Sequence, residues 1–523
     1  SVVWNILFLD TPTPPLSRPT PPLPFRTTPR DTMALPSRHL PLLLFSTLMA
    51  TATAIEKKDI PDHTQIDTVT WDGQGDFRQF LRNTAKTSKP VVIENSPTSS
   101  WGVSQWTPEY LSETIGGLKV PMKTLKKPVF HMGCCLLERI PVRDVIKRSQ
   151  NASETGDYIY YSGPTTLLGK WGAKQLNLHI FDLKEVKRSE NIPEDEILKG
   201  NLWIGSQGVV TPAHFDEMHN FFMQVHGTKT FTLLPPTAWA ALRLYPKFHH
   251  QHRNVRLDLE NEKIMKKLLS SSKLGAKTVT LGKGQILYVP PLWFHRVETK
   301  SPVSISINIW SASRMVGQIG NAWNDPIPSN GKWGFFKTFG VLAAFLRRLI
   351  VAVIPESKPC IKFLQKLHLN RYEHLKRYGK DITSASPIDV HPDAQEIKEH
   401  KDYLDQVNKE APSFLESANI KKPDLKSWCS IDAEYENEAK RFVGPVARRF
   451  ARLERGAIEI YLGNYIEDLA AQLVGFKKIT DFFAPCLVDP LLGDKGDKPR
   501  LLIQNDAEDV QEAAEWLKIY DRA

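Results

Sequence analysis

A chain of 523 residues is longer than one ordinary domain, so a large core with at least one further unit is expected. Its 41% hydrophobic and 24% charged content is that of a soluble globular protein. The net charge of +10 is spread without a dominant basic run, which argues against nucleic-acid binding; five cysteines without a C-x-x-C pair argue against a disulfide framework and predict free thiols.

Residues 1–32 are rich in proline (TPTPPLSRPTPPLPF) and read as a disordered or non-native leader, with Met33 the more credible start. Residues 33–54 run from a basic lead at Arg38 through a short apolar core, residues 42–49, to the small residues Ala52-Thr53-Ala54. That is the layout of a cleaved secretory signal, too short for a stable membrane span, although a transit peptide or a plain leader also fits. The first reading favours the secretory pathway or endoplasmic-reticulum lumen, the others an organelle or the cytoplasm. Asn151-Ala152-Ser153 is a lone glycosylation sequon, a triplet that also arises by chance.

From about Asp76 the chain turns globular. FRQFLRNTAKTSKPVVIENS predicts a helix leading into a buried strand at residues 90–93, and WTPEYLSETIG a second helix capped by Thr107 with Pro108 in its first turn.

Residues 211–236, TPAHFDEMHNFFMQVHGTKTFTLLPP, carry the chemistry. His214 and Asp216 are two apart in an extended run, so both face one side. His295, at the end of GQILYVPPLWFHRVE, supplies a third ligand if the two strands meet. Two imidazoles and a carboxylate on one face of a metal form the facial triad of non-haem Fe(II) oxygenases, with open positions for a bidentate cosubstrate and dioxygen. Taken alone, H-x-D is more often a surface pair. An apolar strand then leads to a turn at His226-Gly227 and a return strand, whose Lys229 is the natural cation for the distal carboxylate of 2-oxoglutarate, against the plain reading of a solvated hairpin lysine.

T-P-A-H-x-D-E, N-F-F-x-Q, the lysine after the turn glycine, Y-V-P-x-x-W-x-H and I-N-I-W together resemble the JmjC-type Fe(II)/2-oxoglutarate oxygenases over about residues 90–310. Within that family the segment is most similar to the branch of the hypoxia-inducible factor asparaginyl hydroxylase. The resemblance implies iron on His214, Asp216 and His295, and 2-oxoglutarate held by Lys229, Thr211 and Tyr160, the last in a run shared with Tyr158 and Tyr161. Asn220 and Asn308 would stand beside the metal-bound end of the cosubstrate. By position, Arg253 and Asn254 would contact substrate. The branch carries a longer amide where Asn254 stands, and tyrosines where KKPVFHMG has Phe130 and His131, so the preferred target is expected to differ.

His249, His250 and His252 form a polar surface loop in preference to a second metal site. Residues 277–310 add further short strands, with Gly282 and Gly284 bracketing a turn. Strand after strand without interleaved helical periods predicts a mainly β jelly roll of the cupin architecture, the double-stranded β-helix, at residues 76–315 with flanking helices. Trp310 ends it, either packing in the core or facing substrate.

Beyond Trp310 the period changes. Leu342, Phe345, Leu346, Leu349, Ile350 and Val353 mark an amphipathic helix, and Arg347 and Arg348 break the apolar run against a membrane span. A second helix, IKFLQKLHLNRYEHLKRY, follows Pro359. In the branch resembled, helices at this place make a homodimer, so residues 330–380 are a dimerisation region by resemblance, with internal packing the alternative. Residues 384–523 form an α-helical region of unassigned role; residues 446–474 within it read as one long helix, and residues 396–401 as a solvated helix face.

The expected function is therefore a 2-oxoglutarate dioxygenase hydroxylating an asparaginyl or related side chain of a protein substrate. A JmjC lysine demethylase and a non-catalytic cupin binding module are the alternatives.

Overall fold

The computed structural model describes residues 62–129, 136–186, 197–249, 251–354, 357–372, 412–430 and 432–492, with isolated positions between 402 and 409. The leader, the signal-like segment, Phe130, His131, Cys134, Cys135, His250 and residues 396–401 lie outside them.

Local chemistry starts the fold where the sequence places it. The Asp76 carboxylate accepts from the Arg78 N–H to open α1 (Phe77–Ala85), and Thr107 Oγ accepts from Tyr110 N–H to open α2 (Pro108–Thr114). Between them runs β2 (Val91–Glu94), parallel to β1 (Asp67–Thr70). The strands β3 (Lys119–Leu125), β4 (Leu136–Pro141) and β5 (Tyr158–Pro164) follow, with α3 (Val142–Gln150) between the last two. Then come β6 (Leu198–Ser206), β7 (Val210–Phe215), β8 (His219–His226) and β9 (Lys229–Leu234). After α4 (Glu262–Ser270), β10 (Lys277–Leu281), β11 (Ile286–Val289), β12 (Phe294–Thr299) and β13 (Val303–Ser311) complete the set.

Two sheets result: a nine-stranded one, β1-β2-β11-β8-β13-β6-β5-β3-β4, and a four-stranded one, β10-β9-β12-β7. They face each other across Phe222, Leu287 and Val289 on one side and Phe231, Leu233 and Val297 on the other. The outer face of the large sheet is covered by Phe77 and Leu81 of α1, Leu111 of α2, and Val142, Val145 and Ile146 of α3. This is the jelly roll with flanking helices that the strand pattern predicts.

The hairpin expected across His226-Gly227 does not form. β8 pairs with β11 and β13, whereas β9 pairs with β10 and β12 in the opposite sheet. Seven of the eight β8 residues are buried, so both faces of the strand need cover, and a partner in its own sheet supplies only hydrogen bonds. Gly227 makes the crossing: its φ is +72°, and a Cβ there would come within 2.3 Å of the Val303 carbonyl oxygen.

The C-terminal region is helical. α5 (Phe335–Val353) is buried along Thr338–Leu346, Leu349 and Ile350, and α6 (Ser357–Arg371) follows it. The single long helix expected over residues 446–474 is instead two, α7 (Ala433–Phe450) and α8 (Arg455–Val474). α8 is buried nearly all round, as a central helix is, whereas α7 buries only the stripe Ala439, Val443, Val446 and Phe450; one straight rod could not satisfy both environments. The apolar face of α5 packs against α7 of the same chain. No helix among the described residues is long and apolar enough to cross a membrane.

The expectation of free thiols is corrected by a Cys429–Cys486 disulfide, 57 residues apart with Cα atoms 4.8 Å from each other. No local spacing encodes it. Helix packing brings the two turns together, and Arg347 Nη1 of α5 donates to the carbonyls of both cysteines at 3.2 Å. Cys360 is a free, buried thiol. His249, expected on the surface, is 2% exposed and stacks on Tyr245 with ring centroids 4.2 Å apart.

Candidate metal and cosubstrate site

The site begins with a register break between β7 and β12. His214 stands opposite His295 and Thr211 opposite Val297, so Pro212 and Ala213 together oppose Arg296 alone. This is a β-bulge. In a regular strand Thr211 and His214, three apart, would point to opposite faces; the extra residue turns both inward while Ala213 and Phe215 pack outward against the helices.

His214 Nδ1 lies 2.8 Å from the Pro212 carbonyl and His295 Nδ1 3.0 Å from that of Trp293. A carbonyl only accepts, so each Nδ1 carries the proton and each Nε2 is left as a free ligand lone pair. The rings stand 4.3 Å apart, His295 Nε2 is 3.7 Å from Asp216 Oδ2, and the ligand atoms of all three residues lie within 4.8 Å of one another. Among the described residues no other group of three or more His, Cys, Asp and Glu side chains could hold a metal.

Burial lowers the His214 imidazole to about 4, which keeps it in the neutral, ligating form. Burial alone would raise the Asp216 carboxyl, but the neighbouring His295 and His214 rings and the Trp310 indole N–H outweigh it and hold the group below its ordinary range. Asp216 Oδ2 accepts from Trp310 Nε1 at 2.8 Å and from Asn220 Nδ2 at 3.0 Å, and Asn308 Nδ2 donates to Asn220 Oδ1 at 3.0 Å. Trp310 thus orients the Asp216 carboxylate, a role neither sequence alternative named. Asn308 Oδ1 is buried and has no partner.

Lys229 is 2% exposed. Its Nζ donates to Ser306 Oγ at 3.1 Å and sits 5.2 Å from the centre of the Phe222 ring, and burial lowers it to about 7. Ser306 lies two residues from Asn308 on the same face of β13, roughly 7 Å along the strand. The Tyr160 hydroxyl meets Thr211 Oγ at 3.2 Å, and burial raises the Tyr160 phenol far above its ordinary value, so it stays a neutral donor. Tyr161, one residue on, is buried in the opposite core.

These groups fit a metal and a dicarboxylate. Two neutral imidazoles and a carboxylate suit a divalent cation, and an ammonium, a hydroxyl pair and an orphaned amide oxygen line the wall beside it. A buried ammonium that among the described residues meets a neutral hydroxyl and no acid is a costly arrangement that an anion would relieve.

Arg253 and Asn254 lie beside the ligands. Asn254 forms a β-bridge with His214, Phe215 N–H donates to Arg253 O at 3.2 Å, and Val255 N–H to Ala213 O at 3.1 Å. This adds an edge to β7. The C-terminal helices hold that edge: Lys247 N–H donates to Glu467 at 2.6 Å, Lys247 Nζ pairs with Asp468, and Phe248 packs on Phe476 at 4.7 Å. Tyr461 of α8 donates to Glu217, next in sequence to Asp216, at 3.1 Å. Ser306, Glu217 and Tyr461 were not anticipated. Alternation along β13 from Asn308 could have pointed to Ser306; nothing local points to the others.

Residues 77–314 match the family described as cupin-like domain. Relatives include HSPB1-associated protein 1 of Homo sapiens, 28% identical over 237 residues, which cover 42% of this chain and 47% of that protein. The homologue of that protein in Danio rerio is 29% identical over 244 residues, covering 42% and 51%. Jumonji C domain-containing protein 5 of Drosophila melanogaster is 24% identical over 243 residues, covering 45% and 57%. The chain thus spans about half the length of these curated relatives. With the jelly roll and the converging side chains already in place, residues 77–314 are a cupin-like domain of the JmjC type.

Proposed function

We propose that this chain is an Fe(II)- and 2-oxoglutarate-dependent dioxygenase that hydroxylates an asparaginyl or related side chain of a protein, releasing succinate and carbon dioxide. The observation that carries the reading is Lys229, a buried amine with no acidic partner among the described residues, on the wall that also bears the Asn308–Asn220–Asp216 hydrogen bonds. A binding module has no use for that arrangement. When bound, the iron with 2-oxoglutarate and dioxygen supplies the oxidising power to hydroxylate an unactivated carbon.

The protein's part is placement. His214, Asp216 and His295 hold the metal; Trp310 and Asn220 fix the carboxylate that faces it. Lys229, Thr211 and Tyr160 take the distal carboxylate, with Asn220 and Asn308 at its other end. Arg253 and Asn254, on the edge beside β7, take the substrate backbone. A polypeptide partner also accords with the name of the HSPB1-associated relatives. Self-association is proposed through the α5 region, where Phe336 and Val351 are the exposed large apolar side chains.

Succinate release from 2-oxoglutarate with Fe(II), compared between wild type and His214→Ala, tests the reading. Turnover in the first and none in the second is expected; equal release would leave a non-catalytic module. Candidate peptides that gain one oxygen support hydroxylation, whereas loss of a methylene from methylated lysine would support demethylation instead.

A further inference from the structure

The sequon at Asn151 is unused by the site, and the structure shows how it is presented. Asn151 ends α3 in the turn before β5, with φ −96° and ψ 7°, and its carboxamide caps neither neighbouring helix. Asn151 and Ser153 are exposed while Ala152 between them is buried, so the reactive pair stands at the surface on an anchored backbone. Asn151 itself helps line an open cavity of about 490 Å³, whose walls also carry Asp144, Lys147, Arg148, Thr155 and Asp157 beside the apolar Ile159. α3 packs on the outer face of the large sheet, whereas His214, Asp216 and His295 come from β7 and β12 of the small sheet, so an added chain there leaves the site open.

A second, independent feature names the compartment. The Cys429–Cys486 disulfide is buried, its residues 1% and 0% exposed, and such bridges form and persist in oxidising lumens and are rare in the reducing cytosol. The signal-like layout of residues 33–54 leads to the same place.

We propose that Asn151 carries an N-linked oligosaccharide, added in the same secretory lumen in which Cys429 and Cys486 are joined. The Asn151 amide nitrogen attacks the anomeric carbon of a lipid-pyrophosphate-linked oligosaccharide; the N–C bond forms, the C–O bond breaks, the lipid pyrophosphate leaves and one amide proton passes to a base of the transferase. The two thiols give two electrons and two protons to a protein disulfide of the lumen, which becomes the dithiol.

The test is expression in eukaryotic cells, once in full and once from Met33, followed by glycosidase digestion and non-reducing peptide mass spectrometry. A glycosidase-sensitive mass shift is expected in at least one of the two, lost in both Asn151→Gln and Ser153→Ala, together with a linked Cys429–Cys486 peptide. Ser153→Ala keeps the asparagine, so loss of the shift there cannot come from loss of that side chain. Protein from both expressions without glycan at Asn151, or with Cys429 and Cys486 open to alkylation, overturns the proposal.

Discussion

Lys229 concentrates the energetics of the candidate site. Burial lowers its ammonium from 10.5 to about 7, so between those values the unfolded chain binds one more proton than the fold. The stability of the empty protein therefore rises with pH across that window, and the penalty is fully present below about 7. A dicarboxylate reverses the shift. Binding of 2-oxoglutarate at pH 8 should take up about one proton, read by calorimetry in buffers of different ionisation enthalpy; no uptake would separate Lys229 from the cosubstrate. Lys229→Ala should leave the fold intact and abolish turnover, with 2-oxoglutarate affinity down about 10²- to 10⁴-fold, since losing one partner of a buried pair costs about 3–5 kcal/mol. Unchanged kinetics would misplace the cosubstrate. Trp310→Phe keeps the aromatic packing and removes the donor to Asp216; metal affinity should fall about 10- to 100-fold, measurable by competition with a chelator.

Among elements, the edge of β7 and the helix α8 act together. The bulge at Pro212–Ala213 aims Thr211 and His214 into one cavity, and the loop bearing Arg253 and Asn254 extends that strand. α8 reaches the loop because Gly456 lies flat on Pro236 and Thr237, where a Cβ would come within 2.5 Å of the Thr237 nitrogen. Its Glu467 also pairs with Arg371 of α6, both side chains fully buried. Arg371→Leu should destabilise the fold by about 3–5 kcal/mol, because it strands Glu467 without its cation; denaturant unfolding reads this directly. Lys247→Ala is milder. If the protein is the proposed hydroxylase, that change should raise KM for a peptide substrate while 2-oxoglutarate affinity holds, because it loosens the loop and leaves Lys229 in place.

For the whole molecule, one apolar core joins the outer face of the small sheet to α5, α6, α7 and α8, so the C-terminal helices are part of the wall behind the ligands. The disulfide closes this region around Arg347, whose Nη2 also pairs with Glu436 at 2.8 Å. Cys429→Ser should cost about 2–4 kcal/mol in non-reducing denaturation, and reductant should bring wild type to the same midpoint.

Much of this was open to a reader of the sequence. Short-range chemistry names the caps Asp76 and Thr107, alternation names the jelly roll, and the H-x-D spacing puts His214 and Asp216 on one side, because each of these signals lies within a few residues and depends on backbone geometry alone; the distant His295 was named by its motif, and the fold brings it to the pair. Tertiary structure decided the rest: the bulge that turns Thr211 inward, the passage of β8 and β9 into opposite sheets, the break between α7 and α8, the Cys429–Cys486 bond and the contact of Tyr461 with Glu217. Each of these depends on which distant surfaces bury one another, a choice made by the free energy of the assembled core and written in no local pattern.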